Sequence, residues 1–197
     1  VVSVFVNPTQ FNSKEDFETY PLTLQDDLNL AGQAGATVVF TPTVEALYGH
    51  SLAVKPVDYG QLTSVYEGQN RKGHFNGVVA VVRKLFSAVN AHRVFFGEKD
   101  LQQLAVIRRL AQEEFADLEV IGCPLVRESD GLAMSSRNVR LSGLRRQDAL
   151  ALYDWLNQIK NAARGTTDVS ALLAAIEAEA KSMAHVELEY VLSLIHI

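Results

Sequence analysis

Apolar residues along this chain recur in two alternating rhythms. Short runs rich in β-branched and aromatic residues occupy 1–6, 37–40, 93–96 and 118–126, each of a length suited to a strand buried on both faces. Between them the apolar spacing lengthens to three and four residues. Leu24, Leu28 and Ala31 mark 23–34; Val78, Val81, Val82, Leu85, Phe86 and Val89 mark 78–91; Leu104, Ile107 and Ala111, together with Arg108, mark 101–115. That period predicts helices, with Gly35 a natural stop for the first. Strands alternating with helices predict βαβ units, and so an α/β fold with a parallel sheet and helices on both faces.

The alternation lapses over 44–76, where Gly49, Gly60, Gly68 and Gly73 surround a short apolar run at 52–55; an irregular excursion with a strand or two is expected there. After about residue 126 the pattern changes again. A polar loop over 127–138 leads to Ser142, a candidate cap for a helix to about Ala162, and Asp168 can cap another to about Met183, with a turn at 165–167 between them. Residues 186–192 read as a strand. The predicted division is a first domain over 1–125 and the start of a smaller α+β domain over 126–197.

Composition narrows the function classes. The 197 residues are 48% hydrophobic and 21% charged, a globular balance. A net charge of −5 argues against a protein that coats nucleic acid. Cys123 is the single cysteine, so no internal disulfide is possible and a reducing, cytoplasmic setting is expected. It lies in an apolar run with no basic neighbour, which suits packing better than catalysis. No run approaches the roughly 20 apolar residues that span a bilayer. His50, His74, His92, His185 and His196 show no metal-ligand spacing.

In open parallel sheets ligands bind at the carboxyl ends of the strands. The first strand runs into Asn7-Pro8-Thr9-Gln10-Phe11, the third into Gly97-Glu98-Lys99-Asp100, and the fourth leads toward Met134-Ser135-Ser136-Arg137. Individually these read as a turn, a solvated helix start and a weak motif. Together they offer what a phosphate chain requires: a lysine point charge, an arginine fork, hydroxyls, and glycines (Gly97, Gly131) that admit close backbone approach. Neither G-x-G-x-x-G after a strand nor G-x-x-x-x-G-K-[ST] occurs, so a dinucleotide dehydrogenase and a P-loop enzyme are not supported.

These segments carry a resemblance. Phe5-Val6-Asn7-Pro8-Thr9-Gln10-Phe11, the stretch from Glu67-Gly68 to His74-Phe75 with Gly77-Val78-Val79, Phe95-Phe96-Gly97-Glu98-Lys99-Asp100 with Gln102-Gln103-Leu104, and Arg127-Glu128 through Asp130-Gly131-Leu132-Ala133-Met134-Ser135-Ser136-Arg137-Asn138 resemble the pantothenate synthetases, in that family's order and spacing, from residue 1 to about 191. The resemblance implies a Rossmann-like domain of the nucleotidyltransferase-superfamily type followed by a lid domain, a homodimer, and ATP-dependent joining of (R)-pantoate to β-alanine through pantoyl adenylate, with Mg2+ accompanying ATP. It implies neither a nucleic-acid nor a membrane partner.

By the same resemblance Gln10 and Gln103 are expected to hold pantoate, with Gln10 also near β-alanine. Gly97, Glu98, Lys99 and Asp100 are expected to hold ATP, Lys99 neutralising its phosphates, and Val126 is expected to meet the nucleotide through its backbone. Met134, Ser135, Ser136 and Arg137 correspond to the mobile phosphate-binding loop, and Lys99, Ser135, Ser136 and Arg137 are the candidate catalytic groups. Asn7, Glu67, Arg71 and His74 match positions around the pantoate and β-alanine pocket. The family's His-x-Gly-His segment, which binds ATP phosphates and supplies its usual catalytic histidine, is not in the sequence. The sequence opens at Val1 inside an apolar run with no Met, and 192–197 form an apolar tail with no turn or cap signal, so both ends are expected to be cuts, with residues 192–197 outside the family pattern and the chain as it stands inactive or nearly so. Two alternatives remain open: another adenylyltransferase of the superfamily, against which Gln10 and Gln103 weigh, and a non-catalytic nucleotide-binding fragment.

Overall fold

The computed structural model describes residues 1–164 and 168–191. The chain forms two compact units, Val1–Pro124 and Leu125–Ile197, each with its own apolar core.

The first unit runs β1 (Val2–Ser3), a 3-10 turn (Pro8–Gln10), α1 (Lys14–Glu18), α2 (Leu24–Gln33), β2 (Val39–Phe40), α3 (Val44–Tyr48), α4 (Gln61–Ser64), α5 (Glu67–Asn70), α6 (His74–Val89), β3 (Arg93–Gly97), a second 3-10 turn (Glu98–Asp100), α7 (Leu101–Glu114) and β4 (Glu119–Cys123). β1 pairs with β2 and β3 with β4, both parallel, as βαβ logic requires. Register is set by Val2 opposite Val39 and by Arg93 opposite Glu119, whose side chains also pair at 2.8 Å.

The core lies where α6 and α7 meet. Phe75, Val78, Val79, Val82 and Phe86 form one stripe of α6, and Val106, Ile107, Leu110 and Ala111 face them from α7. Fully burying each large apolar side chain contributes about 1.5–3 kcal/mol, so this seam dominates the unit's stability. A two-bond pair from Arg83 to Glu114, 2.6 Å in each arm, ties the helices together. α6 stops at Asn90, which adopts the left-handed conformation that asparagine tolerates better than most residues.

The α/β class and the parallel pairing stand, while the strands differ from the sequence reading in extent and burial. β1 and β2 are two residues each, and the ladder of four strands is divided into two pairs among the described residues. None is buried on both faces. In β3 Val94 and Phe96 pack on the helix core while Phe95 is 64% exposed, because α6 and α7 cover that side. The excursion over 44–76 holds no strand but three short helices. Gly60 and Gly73 take positive φ there, breaking the chain into turns that leave the 52–55 run without a ladder partner.

In the second unit an isolated antiparallel bridge, Arg127 to Ala133, closes a loop before a 3-10 turn (Ser136–Arg140), α8 (Gly143–Ala162) and α9 (Val169–Ser182). Asp168 caps α9 as expected, accepting from the N–H groups of Ser170 and Ala171 at 2.9 and 3.3 Å. Ser142 occupies the cap of α8 without a side-chain bond. Trp155 and Ile159 of α8 pack on Ile176 and Ala180 of α9. The strand expected at 186–192 is not formed over 186–191: Val186, Leu188 and Val191 turn toward that core, and among the described residues no neighbouring strand supplies a ladder. The turn at 165–167 and the tail 192–197 lie outside the described residues.

Candidate functional site

After β1 the chain enters the Pro8–Gln10 turn. Asn7 caps the 3-10 turn, and Pro8 takes its first position, where a missing N–H costs nothing. The turn sits directly on the start of α6. A Cβ at Gly77 would lie 2.2 Å from the Thr9 carbonyl oxygen and 2.8 Å from the Gln10 nitrogen, so only glycine permits this approach.

Asn7, 3% exposed, is the hub. Its Nδ2 donates to the Gly77 carbonyl at 3.1 Å and to Gln10 Oε1 at 3.2 Å. Its Oδ1 accepts from the Thr9 N–H at 3.3 Å, the Thr9 hydroxyl at 3.0 Å and the Tyr48 hydroxyl at 2.7 Å. The Gln10 carbonyl in turn accepts from His74 Nδ1 at 2.9 Å and Arg71 Nη2 at 3.3 Å. Arg71 also reaches Glu67 at 3.4 Å and Asn12 Oδ1 at 3.4 Å.

His74 is 7% exposed. A carbonyl can only accept, so its Nδ1 carries the proton and its Nε2 presents a lone pair toward Arg71 Nη1, 3.5 Å away. Burial pushes its pKa below the ordinary histidine value; the bond to Gln10 opposes that, the Arg71 charge adds to it, and Glu67 and Asp100 oppose it. The ring is held neutral at pH 7. Burial likewise raises the Tyr48 pKa, against the hydrogen bonds to Thr9 and Asn7.

At the end of β3, Gly97 leads into the Glu98–Asp100 turn and α7. Lys99 is 40% exposed through its side chain and reaches Asp100 at 3.3 Å, a pair loose enough to leave the ammonium available. Gln102 grips the preceding excursion: its Nε2 donates to the carbonyls of Leu62 and Val65, and its Oε1 accepts the Glu67 N–H at 3.1 Å. Gln103 is half-buried and its side chain makes no hydrogen bond among the described residues.

The second unit carries Val126 and the 134–137 segment. Val126 is 62% exposed while its carbonyl accepts the Met134 N–H at 3.1 Å. Ser135 Oγ accepts the Arg137 N–H at 3.2 Å, capping the turn that holds Ser136. Behind it, Asn138 bonds Glu128 and the Ala133 carbonyl, and Arg146 bonds both Glu128 and Asp130. The Arg146 guanidinium is the chief reason both carboxyls are held below their usual range. Arg127 lies 4.6 Å above the Tyr153 ring and donates to the Gly131 carbonyl. The loop is thus braced at its base, with Met134 and Ser136 exposed and Ser135 half-buried.

The structure joins Asn7, Gln10, Glu67, Arg71 and His74 into one bonded cluster. Gly97, Glu98, Lys99, Asp100 and Gln103 stand at the end of β3 and the start of α7, outside that cluster's hydrogen bonds, although the Asp100 charge is felt at His74. Sequence reasoning missed Tyr48, Asn12 and Gln102. Tyr48 lies in the irregular stretch with nothing to single it out, and spacing does not separate Gln102 from Gln103, which lie one turn ahead of Val106 and Ile107.

A family model described as pantoate-beta-alanine ligase matches residues 1–195. The pantothenate synthetase of Bacteroides fragilis is 48% identical over 190 residues, covering 96% of this chain and 67% of that protein. That of Rubrobacter xylanophilus is 45% identical, covering 96% and 68%. Among solved structures, pantothenate synthetase from Thermus thermophilus superposes with a TM-score of 0.88 at 42% identity, covering 95% of this chain and 68% of that one. Pantoate-beta-alanine ligase from Francisella tularensis, complexed with beta-gamma ATP and beta-alanine, gives 0.82 at 31% identity, covering 98% and 70%. The chain spans about two thirds of the length of these relatives.

Proposed function

Because this chain belongs to the pantoate-beta-alanine ligase family, we propose that its protein joins (R)-pantoate to β-alanine at the expense of ATP, through pantoyl adenylate, with release of pyrophosphate and then AMP. The observation that carries the reading is the family match over residues 1–195. The bonded cluster around Gln10, a half-buried amide with hydrogen-bonding capacity to spare, supports it as a place for a small hydroxy acid.

The chemistry suits the groups present. A carboxylate is already a nucleophile at neutral pH, so attack on the α-phosphorus needs alignment and charge neutralisation more than a base. Gln10 and Gln103 would hold pantoate, and Asn7, Glu67, Arg71 and His74 would shape the pantoate and β-alanine pocket. Gly97, Glu98, Lys99 and Asp100 would receive ATP, the Lys99 ammonium offsetting phosphate charge. Val126 would meet the nucleotide through its backbone, and Met134, Ser135, Ser136 and Arg137 would close on the phosphates. Lys99, Ser135, Ser136 and Arg137 are the proposed catalytic groups.

Among the described residues no group of three or more His, Cys, Asp or Glu side chains is placed to hold a metal. Mg2+ bound with a nucleotide draws most of its ligands from phosphate and water, so magnesium belongs here to the co-substrate, Mg-ATP. The first unit would be the nucleotide- and pantoate-binding domain and the second the lid. A homodimer in the cytoplasm completes the reading. No described helix is long and apolar enough to cross a membrane.

Pyrophosphate release from Mg-ATP by the full-length gene product that carries this chain tests the proposal. Release should require pantoate, and AMP should follow only with β-alanine. Release driven by another acid or by a nucleotide would keep the superfamily and overturn the substrate, and no turnover with any acid would favour a non-catalytic nucleotide-binding role.

A further inference from the structure

Asn7 has nothing left to offer a ligand. A primary amide carries two N–H donors and a carbonyl with two lone pairs. Both Asn7 donors are used, on the Gly77 carbonyl and Gln10 Oε1, and its oxygen already meets three donors from Thr9 and Tyr48. The orientation is also unambiguous. The Thr9 backbone N–H can only donate and the Gly77 carbonyl can only accept, so the Asn7 amide cannot be turned over without facing donor to donor and acceptor to acceptor. Such a mismatch in a buried site is costly.

That certainty passes to Gln10. Because the Asn7 nitrogen faces it, the Gln10 side chain must turn its oxygen inward, and its nitrogen, with two N–H groups, makes no hydrogen bond among the described residues. The Gln10 backbone is fixed independently by His74 and Arg71 on its carbonyl. We infer that Asn7 and Tyr48 are positioning residues which lock the Gln10 amide as a donor, so that this subsite selects an acceptor oxygen, a carboxylate or a hydroxyl lone pair, and disfavours a donor. Tyr48 acts from α3 through the shortest bond in the set, 2.7 Å, and the Lys84 ammonium lies over its ring, 5.1 Å from the centroid.

This inference deepens the proposed function and rests on it for the identity of the ligand, but amide orientation can be read without any ligand. In the full-length protein labelled with 15N, the Asn7 side-chain amide protons should exchange slowly with water and the Gln10 pair quickly, each pair assigned by its loss in Asn7→Asp and Gln10→Ala. A protected Gln10 pair beside a fast Asn7 pair would overturn the inference whatever the substrate. In kinetics, Gln10→Glu should raise the pantoate KM more than Gln10→Ala, because an outward oxygen replaces the donor. Were Gln10 an acceptor, glutamate would be the better tolerated, and that result would refute the assignment. Tyr48→Phe keeps the ring and removes one bond; it should raise the pantoate KM by about tenfold, the ordinary worth of one hydrogen bond, with the ATP KM unchanged. Equal changes in both KM values would reduce Tyr48 to a structural residue and sink its positioning role.

Discussion

Gly77→Ala sets two effects of opposite sign against each other. In an open helix position alanine is favoured over glycine by about 1 kcal/mol, so helix propensity alone predicts a stabilised protein. The structure predicts the reverse. The added Cβ would lie 2.2 Å from the Thr9 oxygen, 2.5 Å from its carbon and 2.8 Å from the Gln10 nitrogen, all backbone atoms that cannot swing aside. Restoring ordinary contact at 3.4 Å means that the turn retreats by about 1.2 Å. That movement lengthens the bond from Asn7 to the Gly77 carbonyl, now 3.1 Å, and draws the Gln10 carbonyl away from His74. Overpacking costs about 1–3 kcal/mol and a buried hydrogen bond lost about 1–3 kcal/mol, so with one of these two bonds broken the clash outweighs the gain and a net loss of about 1–5 kcal/mol is expected. Since a displacement near 1 Å can cost about 100-fold in rate, pantoate-dependent turnover should fall on that order. Urea unfolding of the purified variant and steady-state kinetics read the two effects separately. A Gly77→Ala protein as stable as the parent, with an unchanged pantoate response, would refute the close approach of α6 to the turn.

Lys99→Ala should leave the urea midpoint within experimental scatter, because the side chain is exposed and its pair with Asp100 is loose, while pyrophosphate release collapses; retained release would remove Lys99 from the phosphates. Gln103→Ala should weaken pantoate use by roughly 1–3 kcal/mol, as for a lost buried hydrogen bond, and an unchanged KM for pantoate would take it out of the pocket. For His74 the folded pKa lies below the unfolded value of 6.5, so below about pH 6.5 the unfolded chain binds the proton more readily. Its contribution to stability is therefore full above that value and declines as pH falls toward the folded pKa. The stability advantage of the parent over His74→Gln should narrow between pH 7.5 and 5.5, and a constant difference would contradict the neutral, buried ring.

The long helices were legible because their signals are local. Leu24 to Ala31, Val78 to Val89 and Leu104 to Ala111 each repeat at the helical period, and Asp168 stands where a cap must. Strand positions were legible too, but their exposure depends on which neighbours cover each face, and Phe95 carries no local mark of lying on the open one. The same limit applies to the site. Asn7, Gln10 and Lys99 could be picked out by resemblance, yet the role of Asn7 follows only once Gly77, 70 residues away, is found to supply the carbonyl that orients it. Tyr48 and Gln102 were missed because hydrogen bonds across 41 and 35 residues leave no periodic trace.

In the proposed reaction a carboxylate oxygen becomes bound to the nucleotide's α-phosphorus before the amine arrives. Pantoate labelled with 18O in its carboxylate, incubated with Mg-ATP, β-alanine and the full-length protein, tests it directly by mass spectrometry of the products. The proposed reaction puts one 18O atom in the AMP released and none in pyrophosphate; unlabelled AMP, with the isotope in inorganic phosphate or retained wholly in the product, would contradict it.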